Sequence, residues 1–183
     1  AAKAAGVKPI IGCEVYVAPR TRFDKEHAFD REAYHLVLLC ENETGYRNLS
    51  YMVSRGYLDG FYNRPRVDME LLREHHEGII ALSACLAGRV PQALLHDRYE
   101  EAKKAALEYA EIFGPEHFYL ELQDHGLEEQ PRVNQGILRL SQETGLPLVV
   151  TNDAHYLRRE DAKTQDILMC IQMGKTVDDE NRL

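Results

Sequence analysis

Gly78-Ile79-Ile80-Ala81-Leu82-Ser83, which delivers Ala84-Cys85 at its end, and Phe118-Tyr119-Leu120-Glu121-Leu122 bracket two segments of helical periodicity, about 90–96 and 99–113. Short apolar runs bounded by polar residues read as buried strands, and apolar positions recurring at helical spacing read as helices. Strands joined by helical crossovers lie parallel in one sheet, so the fold class is α/β.

The same alternation extends in both directions. Downstream, a helix from about 129 to 144 carries Val133, Ile137, Leu138 and Leu140 on one side and stops at Gly145. Leu148-Val149-Val150-Thr151 is the next strand; it runs into Asn152-Asp153-Ala154-His155-Tyr156, ahead of a last helix over about 159–173. Upstream, Asp68 caps a short helix through His76, and Thr44 caps a helix with Tyr46, Leu49, Met52 and Val53 on one side that ends near Gly60. Residues 34–40 and 9–17 are the two leading strands, with Pro9 at a strand start, where a missing N–H is tolerated. Residues 18–31 are dense in charge, lack periodicity and read as a mobile loop. Ala1 to Ala5 reads as the end of a helix closed by Gly6, and with no initiator Met this suggests a fragment. A doubly wound sheet and a barrel both fit this order, and in either one chemistry is expected beyond the C-terminal strand ends.

Composition narrows the function classes. The 183 residues carry 22 Lys+Arg and 30 Asp+Glu, a formal charge of −8, with 44% hydrophobic residues, 12 Gly and 7 Pro. That suits one ordinary domain with a sizeable core and disfavours disorder. The acidic balance argues against broad electrostatic binding of nucleic acid, so any bound phosphate needs metal ions to offset the carboxylates. No apolar run approaches the ~20 residues of a membrane span and no signal peptide is visible, which leaves a cytoplasmic location as the expectation. Cys13, Cys40, Cys85 and Cys170 are widely spaced with no C-x-x-C pair, which argues against a disulfide framework or a zinc ribbon.

Metal-binding residue types gather where the strand-end rule places chemistry: Glu14 late in a strand, Cys85 after another, then Asp124 with His125, and Asp153 with His155. Two residues apart in an extended segment, Asp153 and His155 point to the same side and can share a metal. Carboxylate with imidazole suits zinc, manganese or iron, and multi-metal sites of this kind clamp a phosphoryl group. Each residue also has a plainer reading. Asp153 can cap a turn, His155 and His35 can be interior histidines, Cys85 a small buried hydrophobe, and Glu14 a carboxylate paired with a cation. His125 either lines a pocket or belongs to an ordinary loop. His75 and His76 read as solvated, and the surroundings of Cys85 carry no protease signature.

Taken together, GVKPIIGCEVYV, HLVLLCENETGYRNL, GFYNRPRVDMELL, GIIALSACLAGRVPQ, FYLELQDHGLEEQ and LPLVVTNDAHYL resemble the PHP (polymerase and histidinol phosphatase) domain of bacterial DNA polymerase III alpha subunits, of the DnaE type. The resemblance covers nearly the whole chain, 1–183. It implies a distorted seven-stranded (β/α) barrel, here without its N-terminal strands, whose metal cluster uses nine residues and holds up to three divalent ions. Five of the nine match positions here: Glu14, His35, Cys85, Asp153 and His155. The other four belong to segments upstream of residue 1. The resemblance further implies DNA synthesis with magnesium elsewhere in a longer protein, metal-dependent 3′→5′ exonuclease chemistry in this domain, and as partners DNA, a sliding clamp, and proofreading or clamp-loader components, with no membrane. Arg64 and Arg66, or the loop with Arg20, Arg22 and Lys25, are candidates for DNA-backbone contact, with surface solvation as the plainer reading. Two rivals remain open: a catalytically silent structural module, and a free-standing phosphoesterase of the histidinol phosphatase type.

Overall fold

A computed structural model describes residues 1–180. Six strands form one sheet: β1 (Gly12–Val17), β2 (Tyr34–Cys40), β3 (Arg66–Val67), β4 (Ile79–Leu82), β5 (Phe118–Leu122) and β6 (Leu148–Val150), in the order β3-β1-β2-β4-β5-β6. The helices are α1 (His27–Asp30), α2 (Glu43–Leu58), α3 (Met69–Glu74), α4 (Arg89–Leu95), α5 (Tyr99–Phe113), α6 (Gln130–Thr144) and α7 (Ala162–Met173). The α/β class holds.

Alternate strand positions supply the core. Val15, Val17, Leu36, Leu38, Ile79, Ala81, Phe118 and Leu120 are buried against Leu49 and Met52 of α2, Ala102, Ala106 and Tyr109 of α5, and Ile137 and Leu140 of α6. The helices are closed by local chemistry. Asn42, rather than Thr44, caps α2 by accepting from the Gly45 N–H at 3.0 Å, and Asp68 caps α3 by accepting from Leu71 N–H at 3.1 Å. Gly145 takes the left-handed conformation at φ +74° that ends α6.

The all-parallel expectation is corrected at β2. β1 with β3, β4 with β5 and β5 with β6 are parallel, whereas β2 is antiparallel to both β1 and β4. The connection from β1 to β2 contains only the four-residue α1, too short for a crossover over the sheet. Reversal has a positional consequence. The N-terminal end of β2 lies beside the C-terminal ends of its neighbours, with Tyr16 opposite His35 and Val37 opposite Leu82. Glu14, Tyr16, His35, Val37 and Leu82 therefore share the sheet face turned away from the helical core.

The segment read as a mobile loop is tied down. Asp30 is fully buried and accepts from Arg20 Nε at 3.0 Å and from the Glu26 N–H at 2.8 Å, while Arg22 binds Asp68 Oδ1 at 2.9 Å and Glu70 Oε2 at 2.7 Å. Charge without periodicity was the signal for a loop, and these charges close on one another.

Residues 1–151 and 152 onward form separate compact units. The second unit contains a 3-10 turn at Arg159–Asp161 followed by α7. Among the described residues no helix is long and apolar enough to cross a membrane.

Candidate metal centre

Three of the expected ligands meet at the strand end that β2's reversal creates. Glu14 projects from β1, His35 opens β2, and Cys85 follows β4 by way of Ser83 and Ala84; one donor atom from each lies within 4.8 Å of the others. His35 Nδ1 is 2.9 Å from Glu14 Oε1 and 3.5 Å from Cys85 Sγ. A tetrahedral ion with N, O and S ligands sets its donors roughly 3.3–3.8 Å apart, given metal–ligand bonds of about 2.0–2.3 Å. The His35–Cys85 separation falls in that range, and the His35–Glu14 separation is a hydrogen bond that a small shift would open to it, so the three side chains can hold a divalent cation.

The turn that presents Cys85 is strained. Ala84 is buried and left-handed at φ +65°, a conformation that side chains other than glycine rarely adopt. Gly88 closes the same turn, its N–H bonding the Cys85 carbonyl at 2.9 Å. A Cβ on Gly88 would lie 2.0 Å from the Ser83 carbonyl oxygen, so only glycine fits. Strain held by a tight turn beside three converging donors is characteristic of a functional site.

The electrostatics agree. Hydrogen bonding to Cys85, then to Glu14, raises the His35 pKa to about 9 despite the opposing effect of burial. Both acceptors converge on the proton at Nδ1, and a divalent cation bound by these three groups would displace that proton. Glu14 is 38% exposed at its side chain, so the site is open to solvent on the Glu14 side.

One neighbour, Tyr16, was missed in the sequence, and it links the site to Arg64, an arginine expected to contact the DNA backbone. The Tyr16 ring meets His35 edge-on at 5.1 Å, and Arg64 donates to the Tyr16 hydroxyl at 2.8 Å with its guanidinium 4.9 Å from the ring centre. The period-two spacing of Glu14 and Tyr16 was the available signal for the tyrosine. An exposed cation thus stands one ring away from His35, suited to a phosphate oxygen.

Arg66 is corrected. It is 1% exposed and donates to the carbonyls of Gly60, Asp30, Arg22 and Asp24 at 2.8–3.2 Å, so it is internal bracing and neither solvated nor available to DNA. Arg22 is likewise buried against Asp68, Arg20 is held by Glu26 and Asp30, and Lys25 is exposed. His125 lies exposed on the turn before α6, its N–H donating to Gln130 Oε1 at 2.7 Å and its Nδ1 2.9 Å from Gln130 Nε2. An amide nitrogen only donates, so Nδ1 accepts, and the ring serves the helix entry.

Asp153 and His155 belong to the second unit. Asp153 takes φ +43°, so the segment is not extended there, and the expected same-side geometry does not come from a strand. Instead His155 folds back, Nδ1 donating to the Asp153 carbonyl at 2.7 Å. A carbonyl only accepts, so Nδ1 carries the hydrogen and Nε2 is the atom presented, the arrangement typical of a metal-binding histidine.

Comparison with known proteins bears on these positions. Residues 1–125 match the family described as PHP domain. DNA polymerase III subunit alpha of Treponema pallidum (strain Nichols) is 51% identical over 181 residues, 98% of this chain and 16% of that protein. The proteins of the same name from Borreliella burgdorferi and Thermus aquaticus are each 48% identical over 183 residues, 100% and 99% of this chain. The chain spans 16% and 15% of those two relatives, about a sixth of their length.

Proposed function

The chain belongs to the PHP domain family, and from that premise we propose that it is the PHP domain of a replicative DNA polymerase and holds divalent metal for 3′→5′ exonuclease or phosphoesterase chemistry. The observation that carries this reading is the convergence of imidazole, carboxylate and thiol within 4.8 Å at a sheet end. Glu14, His35 and Cys85 are ligands in this proposal, with Asp153 and His155 as further ligands supplied from the segment after β6. A sulfur donor beside nitrogen and oxygen favours zinc or iron, with manganese the harder alternative. The finer fold proposed is a seven-stranded barrel in which the face bearing Glu14 and His35 is the interior.

When bound, the metal ions supply hydroxide near neutral pH and stabilise the departing 3′ oxygen. The protein's part is to hold and orient. Glu14 contributes negative charge, Cys85 is fixed by its strained turn, and His35 is braced by the edge of Tyr16. Arg64, supported on the Tyr16 ring, meets a backbone phosphate of the strand being cut. In the longer protein, template-directed synthesis with magnesium proceeds at a separate site; the partners are DNA, a sliding clamp, and proofreading or clamp-loader subunits, and the location is cytoplasmic.

The test is a paired assay on one preparation of the full-length protein carrying Asp153→Asn, measuring primer extension and 3′ degradation without nucleotides. Degradation should fall at least 100-fold, because metal-dependent steps are worth several kcal/mol of barrier, while extension persists. Undiminished degradation places the nuclease elsewhere, and joint collapse makes this domain a structural module.

A further inference from the structure

We propose that Glu121 is a positioning residue for the metal centre, its carboxylate holding the strand end from which Asp153 and His155 depart and its backbone holding the turn that presents Cys85. The inference rests on the metal reading above and concerns how the ligand-bearing ends are held.

Glu121 is 4% exposed within β5. Leu82 pairs with Tyr119 and Val37 with Leu82, so Glu121, two residues beyond Tyr119, lies on the same sheet face as Glu14 and His35. Its Oε1 receives the Thr151 hydroxyl and, at 3.0 Å, Gln123 Nε2; Gln123 Nε2 also reaches Thr151 Oγ1 at 3.3 Å, which closes a triangle. Thr151 immediately follows β6 and precedes Asp153 by two residues. On the other side, the Glu121 N–H donates to Ser83 Oγ at 2.8 Å, and Ser83 precedes Cys85 by two residues. One residue thus grips both strand ends that lead to proposed ligands.

The remaining oxygen, Oε2, is buried and makes no hydrogen bond among the described residues, and Glu121 and Cys85 line one small cavity beneath the turn. A buried carboxylate oxygen without a donor is costly, and an apolar side chain would fill the position more cheaply. The carboxylate therefore has a use that packing does not supply, which is the bond to Thr151.

Cobalt(II) titration of the full-length protein separates the possibilities. Absorption from thiolate-to-cobalt charge transfer, removed by Cys85→Ser, reports the Cys85 end, and calorimetry reports affinity for the whole set. Glu121→Ala and Thr151→Val should each weaken cobalt binding at least tenfold, the range seen for groups that orient metal ligands. Glu121→Gln, which keeps Oε1 as acceptor for the threonine, should stay within about threefold. Should Glu121→Ala fail to fold by circular dichroism, the nearly isosteric Thr151→Val and the glutamine variant decide. Wild-type affinity in Thr151→Val, or a loss in Glu121→Gln as large as in Thr151→Val, overturns the proposal. A wild-type protein without the Cys85-dependent band overturns the metal reading itself, and this inference with it, before any Glu121 variant is made.

Discussion

Two clusters of charged side chains, both reached from β1, use similar residue types to opposite ends. Around Arg20, Arg22 and Arg66, guanidinium groups close on Asp30, Asp68, Glu70 and four backbone carbonyls. Around His35, a carboxylate and a thiol compete for one imidazole nitrogen, and the side chains stay partly open to solvent. The first cluster pairs guanidinium groups with carboxylates and backbone carbonyls and braces the loop, although Arg22 Nε is buried without a partner among the described residues. The second gathers acceptors that only a shared proton or a cation reconciles. What distinguishes the proposed metal cluster is the convergence of lone-pair-bearing groups on one point, rather than charge or burial alone.

The sharpest way to break this contrast is Arg66→Ala. Its loss leaves several buried carbonyls without a donor, at about 1–3 kcal/mol each, so stability should fall by about 3 kcal/mol or more in urea denaturation with metal affinity unchanged. An equal drop in metal affinity would show that the two clusters are one. Conversely, His35→Ala should cut metal affinity on the order of 100-fold by calorimetry while stability shifts by less than about 1 kcal/mol, since the ring is not part of the core.

The contrast also has a pH signature. The hydrogen bond from Arg20, then burial working against it and the Glu26 N–H working with it, leave the Asp30 carboxyl at about 2. A carboxyl lowered on folding binds fewer protons in the native state, so its stabilisation is complete above the unfolded value near 4 and is lost as pH falls through about 2. Asp30→Asn should flatten the stability profile within that window, and an unchanged slope there would deny the loop cluster its role. The smallest effect expected is from Arg64→Ala, within about 0.5 kcal/mol in stability because the side chain is exposed. It should nevertheless lower the dependence of DNA binding on salt by about one phosphate contact.

Much of the secondary structure was readable from periodicity: Tyr34–Cys40, Tyr99–Phe113 and Phe118–Leu122 have the boundaries expected. The direction of β2 was not, because an apolar run is the same forward and backward, and pairing partners lie outside it. β3, at two residues, is too short for any period, and Arg66 within it was misread because a guanidinium is almost always outside. At the site, strand-end placement put Glu14 and Cys85 among the candidates, and the family resemblance added His35 and lifted Cys85 above its plainer reading as a small buried hydrophobe. Glu121 interrupts its strand in the same way and was passed over, since no known ligand corresponds to it. Asp153 was placed in an extended segment because nothing in N-D-A-H announces a left-handed residue other than glycine.

The reversed β2 also sets an order of assembly. Glu14 and His35 belong to neighbouring strands joined by one short connection, so their meeting costs a small loop closure, whereas Cys85 stands 50 residues beyond His35. On a ribosome adding about 5–20 residues per second, these two donors are out for about 3–10 s before Cys85 exists. A nascent chain therefore brings Glu14 and His35 together before Cys85, which joins them only when β4 docks on β2. In the proposed centre, the sulfur donor is thus the one whose arrival waits on a long-range strand pairing.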